Sequence, residues 1–191
     1  LIKEGETFEK AMGDFLLDWF DQKPTIEVQT SGSTGKPKKI QLLKGHMVNS
    51  AKATGEFFKI KVQDKALLCL SMEFIAGKMM LVRAMVLGLH LDYVQPSSTP
   101  MGQTFKQYDF CAMVPLQLEN SINRIDQIKT LLVGGAPISN DLREKIQNTP
   151  CHVFETYGMT ETITHIAVKR VNYEPETFFK TLPNITISKD G

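Results

Sequence analysis

The sequence predicts an α/β fold in which a largely parallel sheet is flanked by helices. Short apolar runs of strand length alternate along the chain with segments whose apolar residues recur at steps of three and four, the period of an amphipathic helix. A chain of 191 residues with 42% hydrophobic content can also bury a sizeable core as one large domain. Alternation of this kind is typical of a sheet covered by helices on both faces.

The first elements are a helix and a hairpin. Thr7 can cap a helix whose apolar residues, from Phe8 to Phe20, lie on one face. The segments "IEVQT" at 26–30 and "KIQLL" at 39–43 each alternate apolar and polar residues, which predicts two half-buried strands joined by a glycine-rich loop.

The remaining segments continue the alternation. The predicted helices are 46–58, 77–87 and 139–148, and the predicted strands are 66–72, 90–95, 109–115, 128–135 and 152–158. The segment 96–107 predicts an exposed loop. In parallel sheets ligands bind at the C-terminal ends of the strands, so "SMEFIAG", "VGGAP" and "ETYGMTET", which stand at such ends, are candidate site segments.

Charge and cysteine usage exclude several classes of function. The formal net charge is +1, which gives no support for nucleic-acid binding. Cys69, Cys111 and Cys151 are far apart and odd in number, which indicates buried reduced thiols in a cytoplasmic protein. No metal-ligand spacing appears, the histidines show no mutual spacing, and no apolar run is long enough to span a bilayer.

Residues 29–40, "QTSGSTGKPKKI", have the composition of a phosphate-binding loop without matching the usual P-loop pattern. Thr30 stands where that pattern needs its first glycine, and Pro37 follows Lys36 where a hydroxyl should hold Mg²⁺. Successive backbone N–H groups of a glycine-rich hairpin can still hold an anion. The side chains that add donors are those of Ser31, Ser33, Thr34 and Lys36.

Three motifs occur in a fixed order: "TSGSTGKPK" at 30–38, "VGGAP" at 133–137 and "YGMTET" at 157–162. Together they resemble the adenylate-forming (AMP-binding) enzymes, a family that includes acyl-CoA synthetases, aryl-CoA ligases and luciferases. The resemblance covers roughly 26–191 and implies that residues 1–191 belong to the large ATP- and acyl-binding N-terminal domain. The chain ends on a turn signal, so we expect the small C-terminal domain, with the family's catalytic lysine and ribose-binding aspartate, to lie outside it.

The resemblance implies phosphate and metal ligands. In this family a carboxylate attacks the α-phosphorus of ATP, and the thiol of coenzyme A then attacks the acyl-adenylate, so aimed donors and Mg²⁺ matter more than an acid or base. Thr160 would contact the α-phosphate and Glu161 would hold Mg²⁺, although Glu161 taken singly is also typical of a solvated carboxylate. The loop residues that would close on the β- and γ-phosphates are Thr30, Ser31, Gly32, Ser33, Thr34, Gly35 and Lys36.

The resemblance also implies an adenine site. Its residues would be Gly135, Ala136 and Pro137 against one side of the base, and Tyr157 with Gly158 near the other. Taken singly, Tyr157 is equally typical of a half-buried strand residue.

The acid substrate is indicated by residues 70–91. Phe74 stands where many family members have a histidine, shortly before Gly77. Within the family, "ETYGMTETITHIAVKR" is most similar to the o-succinylbenzoate-CoA ligases of menaquinone biosynthesis, in which an arginine six residues after this glycine serves the dicarboxylate substrate. Arg83 stands at that position. A buried arginine needs an anionic partner, whereas an arginine that reaches the surface does not.

The leading interpretation is therefore an ATP-dependent acid-CoA ligase that acts on a small carboxylic acid, o-succinylbenzoate. Two alternatives stay open: a ligase for another aryl or fatty acid, and a non-catalytic AMP- or ATP-binding module. The sequence carries no signal for the oligomeric state. Because the catalytic lysine is expected downstream of residue 191, we expect the isolated chain not to turn over.

Overall fold

The computed structural model of the protein describes residues 4–30 and 38–188. Its helices are α1 (Thr7–Phe20), α2 (Lys44–Phe58), α3 (Ile75–Leu87), α4 (Pro115–Ser121) and α5 (Asn140–Ile146). Its strands are β1 (Thr25–Gln29), β2 (Lys39–Leu43), β3 (Lys65–Leu68), β4 (His90–Tyr93), β5 (Tyr108–Met113), β6 (Ile128–Val133), β7 (His152–Gly158), β8 (His165–Arg170) and β9 (Lys180–Thr181). Short 3₁₀ turns occur at Pro100–Gln103, Ile122–Gln127 and Thr160–Thr162.

The main sheet has seven strands in the order β4-β3-β5-β6-β7-β8-β9. The first five strands are mutually parallel, and β8 and β9 continue the sheet in antiparallel pairing. The largely parallel sheet that the sequence predicts is confirmed. β1 and β2 form a separate antiparallel pair, which confirms the predicted hairpin.

Helices cover both faces of the sheet, as predicted. Along β6, Leu132 belongs to one buried cluster while Leu131 and Val133 belong to the other, because successive side chains of a strand point to opposite faces. The first cluster also holds buried residues of α1, the hairpin, α2 and α3, and the second holds those of α4 and α5. The chain therefore forms a three-layered arrangement with the sheet in the middle.

The helix ends differ from the prediction in detail. Glu6, not Thr7, is the N-cap of α1, and its backbone N–H donates to the carboxylate of Glu9 at 2.8 Å. A carboxylate in the first turn is favoured there by the helix dipole. The predicted hydroxyl cap of α5 is confirmed, since Ser139 Oγ accepts from the Leu142 N–H at 3.2 Å.

The prediction of an exposed loop at 96–107 is wrong for its middle part. Pro100 and Met101 are buried, and Met101 belongs to the apolar cluster under α4 and α5. Thr104 is also buried, with its hydroxyl 2.8 Å from that of Tyr108. Met101 packs into the core although most of its neighbours in the sequence are polar.

The three cysteines are buried and free, as predicted. Cys69 directly follows β3 and Cys111 lies on the neighbouring β5, with their sulfur atoms 3.9 Å apart. Burial raises the pKa of Cys151 to about 12, so its thiol is protonated at neutral pH. Within the described ranges, no helix combines the length and the apolar character that crossing a bilayer requires.

Candidate active site

A cavity of about 950 Å³ opens at the C-terminal ends of the parallel strands. Its walls come from the residues that follow β3, β5, β6 and β7, from the start of α3 and from the turn before β8. This is the position at which an open parallel sheet binds ligands. The volume is at the upper end of the range for small-molecule sites, about 300 to 1,000 Å³.

Five of the predicted nucleotide and metal residues line this cavity together: Thr30, Gly135, Gly158, Thr160 and Glu161. The 3₁₀ turn Thr160–Thr162 is closed by Thr162, whose hydroxyl lies 3.0 Å from the Met159 N–H and 2.8 Å from the Thr164 carbonyl oxygen. This small network fixes the backbone on both sides of Thr160 and Glu161.

Glu161 is exposed at the cavity wall, so its carboxylate is accessible to a cation. Among the residues that the structure describes, no group of three or more acidic, histidine or cysteine side chains is arranged to hold a metal. A single carboxylate suits Mg²⁺, which keeps several waters and is usually bound through one or two carboxylates together with substrate phosphates. Glu161 therefore fits the metal role that the sequence predicts.

Only some of the residues predicted to contact adenine lie at the cavity. Ala136, Pro137 and Tyr157 are exposed and lie outside its lining. The Tyr157 ring instead contacts Phe179, with the ring centroids 5.9 Å apart. The predicted adenine contact of these three residues stays a prediction.

The phosphate loop falls mostly outside the described residues. Ser31, Gly32, Ser33, Thr34, Gly35 and Lys36 belong to the range 31–37 that the structure does not describe. Its two ends are tied together, because the Thr30 N–H donates to the Lys38 carbonyl at 2.9 Å and the Lys38 N–H donates to Thr30 Oγ1 at 3.1 Å. Both residues line the cavity, so the loop begins and ends at its wall.

Gly77 and Gly158 allow backbones to approach closely at the cavity. A Cβ on Gly77 would collide with the carbonyl group of Ser71, and a Cβ on Gly158 would collide with the backbone of Thr164. Both obstacles are main-chain atoms, which cannot move aside as a flexible side chain can. Gly77 therefore seats the first turn of α3 directly on the segment that follows β3.

The predicted acid-binding residues Phe74, Gly77 and Arg83 also line the cavity. Arg83 is only 2% exposed, although it is charged and lies in an apolar helix. Its Nη2 donates to Thr164 Oγ1 at 3.1 Å, and its Nη1 lies 3.8 Å from the sulfur of Met80. Its Nε has no hydrogen-bond partner among the described residues.

Arg83 has no carboxylate partner in the part of the chain that the structure describes. Burial lowers the pKa of Arg83 to about 10, so the guanidinium stays charged at neutral pH. A buried cation without a counter-charge is costly, and this one adjoins a cavity. Of the two alternatives that the sequence left open for Arg83, a buried side chain and one that reaches the surface, the structure shows the buried one.

Thr164 and His165, which sequence reasoning did not assign to the site, line the cavity beside Arg83. His165 is buried at the start of β8, with Nδ1 3.5 Å from Arg83 Nη2 and Nε2 3.3 Å from Thr54 Oγ1. Burial lowers the pKa of His165 well below its usual value, and the charge of Arg83 lowers it further. No local signal in the sequence could have linked His165 to Arg83, because the two residues are 82 positions apart.

Glu155 is a third residue that the sequence did not reveal. Its buried carboxylate accepts the Ile138 N–H at 3.0 Å and pairs with Arg143 at 2.5 Å and Lys169 at 3.1 Å. Burial raises the pKa of Glu155, but the hydrogen bond from Ile138 and the two cations outweigh it, so the pKa lies below its usual value. The carboxylate thus ties the turn that carries Gly135 to β7 and β8.

Comparison with known proteins agrees with this geometry. Residues 28–187 match the model of a protein family described as AMP-binding enzyme. The 2-succinylbenzoate–CoA ligase of Bacillus subtilis (strain 168) is 28% identical over 154 residues, which cover 77% of this chain and 32% of that protein. The enzyme of the same name from a strain of Bacillus cereus is 26% identical over 162 residues, with 76% and 32% coverage.

Solved structures give the same result. An acyl-CoA synthetase (AMP-forming)/AMP-acid ligase II-like protein from Dyadobacter fermentans superimposes with a TM-score of 0.89 at 35% identity, covering 97% of this chain and 55% of that one. The O-succinylbenzoate Coenzyme A Synthetase (MenE) of Bacillus subtilis in complex with ATP and magnesium ion gives a TM-score of 0.67 at 27% identity, covering 74% and 31%.

The chain spans about a third of the length of the curated relatives that it matches. The family match, by contrast, covers most of this chain, and it contains every cavity-lining motif described above. The chain therefore belongs to the AMP-binding enzyme family.

Proposed function

We propose that the protein carrying this chain is an ATP- and magnesium-dependent acid-CoA ligase, and that its acid substrate is o-succinylbenzoate. In the first step a carboxylate of the acid attacks the α-phosphorus of ATP, and pyrophosphate leaves. In the second step the thiol of coenzyme A attacks the acyl-adenylate, and AMP leaves. The family match and the relatives named 2-succinylbenzoate–CoA ligase support the reaction type.

The phosphate end of the cavity would stabilise the charge that develops on the transferred phosphate. Thr160 would donate to the α-phosphate, and the loop with Lys36 would close on the outer phosphates. Mg²⁺ held by Glu161 would neutralise phosphate charge. These residues would act by donating hydrogen bonds to the phosphates and by neutralising their charge, so the site needs no general acid or base next to the α-phosphorus.

The observation that carries the substrate proposal is Arg83, a buried guanidinium whose Nε is unpaired among the described residues and which has no carboxylate partner there. o-Succinylbenzoate has two carboxylates. If one reacts at phosphorus, the other is free to pair with Arg83, directly or through water. A fatty acid has only the reacting carboxylate and would leave the guanidinium buried without an anion.

The test compares kcat/KM for o-succinylbenzoate with that for the monocarboxylate lacking the ring carboxylate, in the full-length gene product. The parent should prefer the dicarboxylate by roughly 2 to 4 kcal/mol, as expected when a site built around a charged hydrogen bond is left unpaired. Arg83→Met keeps the side-chain volume and should make the two acids nearly equivalent. Arg124→Met, which removes an arginine on the other side of the sheet that contacts the Phe105 ring, is the control.

A Met variant that still prefers the dicarboxylate as strongly as the parent would refute the substrate proposal. ATP–pyrophosphate exchange, measured over a panel of aryl and fatty acids, tests the proposed reaction type independently of the proposed substrate. Exchange with another acid only would keep the ligase and change its substrate. Nucleotide binding without any exchange would instead favour a non-catalytic nucleotide-binding module.

A further inference from the structure

The guanidinium of Arg83 is held by a buried polar cluster that joins three separate elements. Thr54 comes from α2, Arg83 from α3, and Thr164 and His165 from the start of β8. All four side chains are buried, at 8% exposure or less. Because polar groups are buried at a cost unless they are hydrogen-bonded, each proton in this cluster has to be accounted for.

The protons of the cluster fix the form of His165. Thr54 has one hydroxyl proton, and it donates this proton to the Ser50 carbonyl at 2.9 Å. Thr54 Oγ1 can then only accept from His165 Nε2, which lies 3.3 Å away. Nε2 therefore carries a proton. Nδ1 lies 3.5 Å from Arg83 Nη2, a nitrogen that can only donate, so Nδ1 carries no proton and presents a lone pair. The imidazole is thus neutral.

That lone pair faces Arg83. Nδ1 lies 3.5 Å from Arg83 Nη2, and Thr164 Oγ1 accepts from the same nitrogen at 3.1 Å. The hydroxyl proton of Thr164 has an acceptor of its own in Ser50 Oγ, 3.4 Å away, and Nδ1 is also 3.5 Å from Thr164 Oγ1. Two neutral acceptors thus hold the Nη2 end of the guanidinium, while the Nε–H has no partner among the described residues. Neutral acceptors orient a guanidinium without cancelling its charge. A carboxylate in the same place would pair with Arg83 and compete with any anionic ligand.

We propose that His165 is a positioning residue for acid recognition: as a neutral acceptor fixed by Thr54, it orients Arg83 and leaves the full guanidinium charge for the second carboxylate of the substrate. This inference rests on the proposed function, because it assigns a task to His165 in the binding of that substrate. It also explains why a histidine without any catalytic partner lines the cavity.

Three substitutions at position 165 separate this role from a purely structural one. His165→Asn keeps a neutral acceptor near the Nδ1 position, and its preference for the dicarboxylate over the monocarboxylate should stay within about threefold of the parent. His165→Phe keeps a ring without an acceptor, and should lose about tenfold or more of that preference, the value of one hydrogen bond to a charged group. His165→Asp supplies a carboxylate, which should remove most of the preference although the protein stays folded.

The readout is the ratio of kcat/KM for the two acids, with the melting temperature measured for every variant. His152→Asn is the control, since His152 is exposed at the start of β7. A folded Phe variant with the ratio of the parent would overturn the proposal. So would Asn and Asp variants that change the ratio equally, because a structural role does not depend on the charge of the acceptor.

An independent measurement does not depend on the substrate being correct. Nitrogen-15 NMR of the imidazole, assigned by the signal that disappears in His165→Asn, should show the neutral Nε2–H tautomer at pH 7. The Nδ1–H tautomer or an imidazolium would overturn the positioning role even if the ligase activity is confirmed. If the tautomer is found as expected but the parent does not prefer the dicarboxylate, the substrate proposal fails, and with it the role assigned to His165 in recognition.

Discussion

Glu155→Gln is expected to destabilise the protein more than any other isosteric change of a carboxylate in the main sheet. The Glu155 side chain is 7% exposed, and its two cationic partners, Arg143 and Lys169, are 28% and 17% exposed. Removing one partner of a fully buried ion pair costs about 3 to 5 kcal/mol, and removing one from a surface pair costs about 0 to 1 kcal/mol.

The structure places Glu155→Gln between these limits. Both cations can partly regain water, and the amide oxygen of glutamine can still accept the Ile138 N–H. We therefore expect a loss of about 2 to 3 kcal/mol in the free energy of unfolding at pH 7. For a chain of this size, the melting temperature should fall by roughly 5 to 10 °C.

The pH dependence gives the same experiment a second readout. The pKa of Glu155 lies below its ordinary value of 4.5 in the folded state, so its contribution to stability is present above pH 4.5 and is lost as the pH falls through the folded pKa. Glutamine does not titrate. The difference in unfolding free energy between parent and variant should therefore be largest near pH 7 and shrink below about pH 4.5.

The assay is urea denaturation of both proteins over a pH series. Glu27→Gln is the matched control, because Glu27 pairs with Lys39 at 2.7 Å but the two side chains are 49% and 72% exposed. That control should change stability by less than about 1 kcal/mol. A Glu155 variant no less stable than the control at pH 7, or a difference that stays constant down to pH 3, would refute the reasoning.

Two further substitutions test the cavity wall. Gly77→Ala should destabilise the protein by about 1 to 3 kcal/mol and raise KM for the acid, because the added methyl group meets the Ser71 carbonyl. Gly45→Ala, in α2 with open space around it, is the control and should be neutral or stabilising. Equal melting temperatures for the two variants would contradict this. Glu161→Gln should leave stability within about 0.5 kcal/mol but raise the Mg²⁺ concentration needed for half-maximal ATP use. A steep fall in melting temperature, with unchanged Mg²⁺ dependence, would make Glu161 a structural residue.

Most of the fold can be predicted from the sequence, because the patterns that indicate its strands and helices are local. The parallel strands of the main sheet are short apolar runs, and the hairpin strands alternate with a period of two, so both can be recognised within a few residues. The antiparallel strands β8 and β9 are not among the predicted strands: β8 ends in two basic residues, and β9 is two exposed residues long. The buried middle of segment 96–107 was missed for the same reason. Met101 lies among polar neighbours, and its burial is decided by the apolar residues of α4 and α5 rather than by its own surroundings.

The site was accessible only where its chemistry is contiguous in sequence. Thr160, Glu161 and the Thr162 that closes their turn are consecutive, so a motif identifies them together. The resemblance to the family points to Arg83, which stands six residues after Gly77. It does not point to the partners of Arg83, since the pairing of Arg83 with His165 depends on how α3 packs against β8, and a single sequence does not encode such contacts as a pattern.

The two ends of the cavity should respond differently to substitution, because one is built from consecutive residues and the other from side chains that are distant in sequence. At the end of the cavity where we propose phosphate binding, the backbone is shaped by tight turns and close approaches, such as that of Gly158 to Thr164. A single added methyl group there would distort the backbone that carries the proposed donors. At the acid end the polar groups are side chains from three elements that meet across packed helices. Side chains there can be exchanged while the backbone keeps its course, provided that the remaining buried donors and acceptors keep the partners they have. Replacement of Arg83 alone should change the acid preference but leave an acceptor pair without its donor. A change of acid substrate without loss of stability should therefore require replacement of Arg83 together with His165.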